Sequence, residues 1–322
     1  MPTDNSNMLK VIGSFPHQCK TALELPKGMS VSGKFNKIVV CGMGGSAVGG
    51  DLLKVYMHNS KIPVFVVRDY KVPNFVDENT LLFAVSYSGN TEETLSAFED
   101  ATRKKAKIVA VTSGGELGYK AKRVIKIPSG LQPRAALGYL FFPVLGVLVN
   151  SNIIEVNNNE IKEMLDVLSN TNEFKSFGEK LAKKIQNKTP IIYASDLLGP
   201  VAYRWKTQFN ENSKSPAFSH VFSEMNHNEI AGYQTIGRDR FISIFIRDKN
   251  DNERIKKRMD ITKEIISSKI DVEEVFTKGE FLLPRIFSGI YYGDFASYYL
   301  ALEKKIEPTP VTVIENLKKK LK

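Results

Sequence analysis

The sequence predicts an α/β protein built from two doubly wound, mainly parallel sheets with a C-terminal helix. Three observations carry that expectation. From residue 37 onward, short β-branched runs alternate with longer helical patterns, the arrangement of parallel βαβ units. Runs such as KIVVC and TLLFAV are nearly continuous in apolar residues, which suits a sheet covered by helices on both faces. After a polar, Asn-rich stretch at 151–159 the same alternation starts again. The 322 residues suffice for two domains of about 150 residues each.

In the first half, strands are expected at 37–41, 64–67, 81–85, 108–111 and 124–127, with helices at 47–57, 91–105 and 137–149. Five strands complete one doubly wound sheet. The run 137–149 is the longest apolar stretch, and it is interrupted by Gly138, Pro143 and Gly146. It falls short of the roughly 18 to 20 residues a membrane span needs, so no membrane partner is expected. The domain boundary is placed at 152, dividing the chain into 1–152 and 153–322. A helical stretch follows at 160–187, then strands at 190–194, 217–221, 241–246 and 271–276 with helices at 201–210 and 252–268. Residues 290–304 read as a helix, Pro308-Thr309-Pro310 as a turn, and 311–322 as a last basic helix.

Hydrophobic residues make up 42% of the chain and charged residues 25%, a globular balance that excludes disordered and fibrous classes. Lys and Arg number 45 against 35 Asp and Glu, a net charge of +10. Much of the excess lies in runs such as Arg103-Lys104-Lys105, Lys183-Lys184, 254–258 and Lys318-Lys319-Lys320, which read as solvated helix faces and not as a nucleic-acid footprint. The 36 residues before the first strand are too short and too poorly periodic for a helix-turn-helix region. Cys19 and Cys41 form no CxxC and have no histidine pair nearby, so neither a disulfide framework nor a metal site is expected. The first 15 residues have neither the basic start nor the apolar stretch of a secretory signal, and a cytoplasmic location is the expectation.

Two loops carry chemistry. Gly42-Met43-Gly44-Gly45-Ser46-Ala47 follows the first strand and fits GxGxxA, with Asp69 at the end of the second strand 25 positions past Gly44. A nicotinamide-dependent dehydrogenase therefore stands as an alternative. A Gly-rich turn opening a helix also accepts a lone sugar phosphate, because backbone N–H groups and the helix start both attract an anion. The third strand runs into Ser86-Tyr87-Ser88-Gly89-Asn90-Thr91, where Ser86, Ser88 and Thr91 crowd one strand-to-helix turn with Thr91 at the N-cap. One cap needs one hydroxyl. Three hydroxyls with free helix-start amides make a cradle for phosphate oxygens, which a dehydrogenase leaves unexplained.

CGMGGSAVGGDLL together with SYSGNTEETL resembles the sugar isomerase (SIS) domain, whose first and third strand ends grip a sugar phosphate. LQPRAALGY at 131–139, QFNEN at 208–212 and EMNHNE at 224–229 extend the likeness over nearly the whole chain, to the bifunctional phosphoglucose/phosphomannose isomerases with tandem SIS domains. The resemblance implies two SIS domains, the first gripping phosphate through Gly45, Ser46, Ser86, Ser88 and Thr91. It further implies a cofactor-free, metal-independent enzyme that interconverts glucose 6-phosphate and mannose 6-phosphate with fructose 6-phosphate. A homodimer sharing its sites across the interface comes with it. A sugar-phosphate-sensing SIS regulator is the alternative from outside the enzymes.

Moving a proton between C1 and C2 of an open sugar needs a base, an acid to open the ring, and positive charge over the cis-enediolate. Glu211 suits the base, in what reads as a polar Asn-Glu-Asn turn projecting into a cleft, and the family uses its matching Glu so. By resemblance His227, 16 positions later, opens the ring from the neighbouring subunit. His220, in an apparent strand, reads as structural. Arg134 follows a proline where a helix is about to open, and the matching Arg stabilises the enediolate. In the last helix Thr312 and Lys319 lie seven apart on one face, like the pairs the family places over the sugar, with Thr309 and Lys318 as alternative counterparts.

Overall fold

Strand β1 (Lys37–Cys41) lies inside a five-stranded parallel sheet, and its neighbours decide where a ligand can enter. The computed structural model describes residues 4–321. The other strands are β2 (Val64–Val67), β3 (Thr80–Val85), β4 (Lys107–Thr112) and β5 (Val124–Lys126), in the order β2-β1-β3-β4-β5. All five expected strands are present, and every residue of β3 is buried. The order reverses between β1 and β3, so the connections leaving these two strands diverge and open a crevice at the carboxyl edge of the sheet.

Helices α1 (Met8–Gly13) and α2 (Phe15–Glu24) precede the sheet; α3 (Gly45–Tyr56), α4 (Glu92–Arg103), α5 (Gly115–Lys120) and α6 (Leu137–Asn150) follow its strands. Val39, Cys41, Leu82 and Ala84 form one core face with Ala97, Phe98 and Ala101 of α4 and Leu117 of α5. On the other face Gly50 of α3 lies so close to β1 that a Cβ would come within 2.9 Å of Val40. Helix α6 is the helix expected at 137–149, with Pro143 inside it. Its glycines are sites of close approach, since a Cβ on Gly138 would meet Gln18 at 2.9 Å and one on Gly146 would meet Pro26 at 2.2 Å. No helix among the described residues is long and apolar enough to cross a membrane.

The second half contains α7 (Asn158–Ser169), α8 (Thr171–Ile185), β6 (Thr189–Ala194), α9 (Gly199–Asn212), β7 (Phe218–Val221), α10 (Phe222–Met225), β8 (Phe241–Arg247), α11 (Glu253–Ile266), β9 (Asp271–Phe276), α12 (Leu282–Glu303) and α13 (Thr312–Lys320). Its four strands are parallel in the order β7-β6-β8-β9. The helix expected at 160–187 is two helices, parted at Asn170, which stands at the N-cap of α8 and donates from Nδ2 to Glu173 at 2.9 Å. The helix expected from 290 begins eight residues earlier. Gly289 and Gly293 are where α12 meets α9: a Cβ on Gly293 would sit 2.4 Å from the Trp205 ring. Trp205 Nε1 also donates to the Gly289 carbonyl at 2.7 Å.

The chain forms two compact units, 14–165 and 166–321 with 4–13, so the parting lies at 165/166 and not at the expected 152/153. The start of α7 is tied into the first unit by a hydrogen bond from Tyr56 Oη to Glu160 at 3.0 Å. In the other unit Tyr298 Oη donates to Asp4 at 3.1 Å, which binds the N-terminal segment to α12.

Candidate active site

The loop from β1 into α3 turns on Gly42 and Gly44. A Cβ on Gly42 would lie 2.9 Å from the Val85 carbonyl oxygen and 3.0 Å from Ser46 Cβ, so only glycine lets this loop abut the end of β3. Gly44, at φ +52°, is the N-cap of α3 and offers no side chain to its first amides. The loop leaving β3, against whose end Gly42 packs, supplies hydroxyls. Ser86 is buried; its Oγ lies 2.9 Å from Thr91 Oγ1 and accepts from Gly89 N–H at 3.1 Å. Ser88 is exposed, and its Oγ accepts from Asn90 N–H at 3.2 Å. Thr91 occupies the expected N-cap position of α4, but its hydroxyl pairs with Ser86 and makes no cap bond. The three hydroxyls that look equivalent in sequence therefore divide: Ser88 faces solvent while Ser86 braces Thr91 and Gly89 from below.

Arg134 sits in a single 3-10 turn, Pro133–Ala135, just ahead of α6, and is 2% exposed. Its Nη1 lies 3.5 Å from Gln132 Oε1. A Cβ on Gly45 would meet the Pro133 carbonyl oxygen at 3.0 Å and Arg134 Cα at 3.5 Å, so the Arg134 turn rests on the first turn of α3. One unit thus gathers Gly45, Ser46, Ser86, Ser88, Thr91 and Arg134 at the carboxyl edge of one sheet, at its switch point. Amides, hydroxyls and a guanidinium there can bind an anion and stabilise developing negative charge.

The other unit holds the remaining candidates. Glu211 lies in the last turn of α9 and not in a turn of its own, a correction to the sequence reading. The helix continues because Val201, Arg204, Trp205, Gln208 and Asn212 are one buried stripe at helical spacing. Polar members of that stripe are buried by specific bonds: Gln208 Nε2 donates to Asp294 at 2.7 Å, and Asn212 Nδ2 to Ser297 Oγ at 2.9 Å. Lys214, at φ +50°, then folds its Nζ back to the carbonyls of Glu211 and Pro308, each at 2.7 Å. Glu211 and Thr312 line one cavity of about 350 Å³, with Lys214, Ser215, Pro216 and Pro310.

His227 is exposed on the turn between α10 and the 3-10 segment Glu229–Gln234. Its neighbours hold that turn. Asn226 Nδ2 donates to Thr262 Oγ1 at 2.9 Å, Asn228 Nδ2 to Glu224 at 2.6 Å, and Tyr193 Oη to Glu229 at 3.0 Å. His220 lies in β7, in the strand expected there. Lys319 is exposed in the last turn of α13, and Thr309 N–H donates to Glu307 at 3.3 Å. Asp69, the acidic residue of the dinucleotide alternative, accepts from the N–H of Tyr70 at 2.6 Å. Burial pushes the Cys41 thiol up to about 12 and raises Cys19 as well, which removes both from nucleophilic chemistry near neutral pH. Among the described residues no three His, Cys, Asp or Glu side chains are grouped to hold a metal ion.

Sequence reasoning passed over Gln18, Tyr87 and Lys214. Gln18 carried the one available signal, since Phe15, Gln18, Cys19 and Ala22 make a helical stripe in which only Gln is polar.

Residues 34–139 match the SIS domain, and residues 174–321 match the bacterial phospho-glucose isomerase C-terminal SIS domain. The bifunctional phosphoglucose/phosphomannose isomerase of Caldicellulosiruptor bescii is 46% identical over 334 residues, covering 98% of each chain. The enzyme of the same name from Thermoplasma acidophilum is 43% identical over 293 residues, 90% of this chain and 91% of that one. Among solved structures, a phosphosugar isomerase described as putative from Clostridium difficile 630 shares the fold with a TM-score of 0.75 at 15% identity, covering 94% of this chain and 95% of that one.

Proposed function

The chain belongs to the bifunctional phosphoglucose/phosphomannose isomerase family, and from that membership we propose that it interconverts glucose 6-phosphate and mannose 6-phosphate with fructose 6-phosphate through a cis-enediolate. The observation that carries this reading is the seat of the Arg134 turn on Gly45, inside the crevice lined by the hydroxyl loop. In the proposal, phosphate binds to the amides around Gly45 and to Ser46, Ser88 and Thr91, with Ser86 bracing them. The sugar then extends toward Arg134, which stays charged at every working pH.

His227 of the partner subunit protonates the ring oxygen and takes the hydroxyl proton, which opens the ring. Glu211 removes the C2 proton and the C1 carbonyl oxygen becomes the enediolate oxygen beside Arg134; the proton then returns at C1 while the O2 hydroxyl proton passes to O1, which leaves the ketone at C2. Oxidation at C2 and reduction at C1 balance within one molecule, so no external electron acceptor enters and no cofactor is required. Glucose and mannose 6-phosphate differ only at C2, and removing that proton leads both to one planar enediolate. Thr312 and Lys319 face the sugar from α13. The enzyme acts in the cytoplasm as a homodimer, with carbohydrate metabolism as its setting.

The test is to incubate the pure protein in EDTA with each aldose phosphate separately and follow ketose formation. Fructose 6-phosphate from both is the expected result. Product from neither, or only when NAD is added, would overturn the reading.

A further inference from the structure

Arg134 stands in a single turn with no long element of its own, so other groups must hold its backbone. Two buried side chains do so. On the upstream side, Leu131 N–H donates to Tyr87 Oη at 2.8 Å. On the downstream side, Gln18 Nε2 donates to the Ala135 carbonyl at 2.8 Å, and Gly138 N–H donates to Gln18 Oε1 at 2.7 Å. Tyr87 is 7% and Gln18 3% exposed.

Neither polar group is needed for packing. Phenylalanine would fill the Tyr87 site, and an apolar residue would complete the α2 stripe at Gln18, whereas a buried hydroxyl or amide is costly unless it is paired. Tyr87 also stands between Ser86 and Ser88, and its carbonyl accepts from Ser113 N–H at 3.0 Å and Ser113 Oγ at 2.7 Å. One residue therefore joins the hydroxyl loop to the segment that carries Arg134.

We infer that Tyr87 and Gln18 are positioning residues for Arg134: Tyr87 sets the guanidinium relative to the phosphate-gripping loop, and Gln18 locks the far side of the turn to the start of α6. The inference rests on the proposed role of Arg134. Neither residue touches the sugar, so binding of the phosphate is left nearly unchanged while stabilisation of the enediolate is lost.

The test compares Tyr87→Phe and Gln18→Met, each made alone and in an Arg134→Ala background, with folding checked by circular dichroism. Because a displacement of about 1 Å at a charged group costs up to roughly 100-fold, each single variant should lose about 10- to 100-fold in kcat. KM for both aldose phosphates and Ki for inorganic phosphate should stay within about threefold, because the phosphate contacts are untouched. In the Arg134→Ala background the same changes should cost less than about twofold, the non-additivity of groups acting through one another. Full kcat in the single variants, or equal losses in both backgrounds, would overturn the positioning role alone. Normal turnover by Arg134→Ala would overturn the role of Arg134 and this inference with it. The two variants are read independently, so one that fails to fold leaves the other to decide.

Discussion

Replacing Gly89 with Ala should damage both the stability and the phosphate affinity of the protein, to an extent that can be worked from the turn itself. Gly89 has φ +72°, and a Cβ there would lie 1.8 Å from the Gly114 carbonyl oxygen and 2.7 Å from its carbon. Real Cβ atoms essentially never approach below 3.0 Å, so the two loops would have to part by at least 1.2 Å, the difference between those distances. The obstacle is backbone and cannot rotate away. Such a shift breaks bonds that join the loops, among them Leu117 N–H to the Gly89 carbonyl at 2.9 Å and Glu116 N–H to Asn90 Oδ1 at 2.9 Å. Two lost bonds cost about 1 kcal/mol each, and the left-handed conformation costs a side chain roughly 1–2 kcal/mol. Against this, a stiffer unfolded chain returns about 0.4–1 kcal/mol. The net loss is about 3 kcal/mol, or roughly 6–12 °C in Tm for a unit of this size.

Gly28→Ala is the matched control, because Gly28 has φ +77° with nothing within 4 Å of its Cβ position. It carries the conformational cost without the clash and should lose about 1 kcal/mol or less. Thermal melts of both variants, with KM and the Ki of inorganic phosphate, make the comparison. Gly89→Ala should raise both constants by about 10- to 100-fold, because Ser88 moves with the loop. Equal melting points for the two variants, with KM unchanged, would refute the reasoning.

Glu211→Gln should cut kcat by about 10²- to 10⁴-fold with KM nearly unchanged, since only proton transfer is lost; normal turnover would remove Glu211 from the mechanism. Changing Ser46 and Ser88 together to Ala should raise KM, as each charge-assisted bond to phosphate is worth about 1.5–3 kcal/mol; an unaltered KM would put the phosphate elsewhere. Mixing inactive Glu211→Gln and His227→Ala homodimers, with subunit exchange verified by mass, should restore roughly a quarter of wild-type turnover, because half the dimers are hybrids with one intact site each. No rescue would mean that each site is built within one chain. Lys188 and Arg238 beside Asp271 hold its carboxyl below the usual range, so its contribution is present at neutral pH and disappears as pH falls below about 4. The melting difference between wild type and Asp271→Asn should close over that range; a constant difference would contradict it.

The strands and the hydroxyl loop were legible because their signals are local. KIVVC and TLLFAV read as buried strands from five or six residues each, and SYSGNT reads as an anion loop from six. Glycine inside a helix is a different case, because its meaning depends on what approaches it. Nothing in the chain beside Gly293 or Gly138 shows that Trp205 packs on the one and Gln18 on the other. The course of α6 over 137–150 was legible from its apolar residues, whereas the early start of α12 at Leu282, ahead of Gly289, was hidden.

The candidate site divides along the same line. Residue types and motif order nominated Ser88, Arg134, Glu211 and His227 from the sequence by itself, since the chemistry of phosphate grip, charge stabilisation and proton transfer needs those groups. Only the tertiary structure decided that Ser86 is a brace, that Glu211 closes a helix, and that Tyr87 and Gln18 hold the Arg134 turn. Gln18 reaches Gly138 across 120 positions, and Tyr87 reaches Leu131 across 44. A hydrogen bond between groups so far apart leaves no period or spacing in the chain, because its partner is chosen by the packing of helices and sheet and not by any neighbour in sequence.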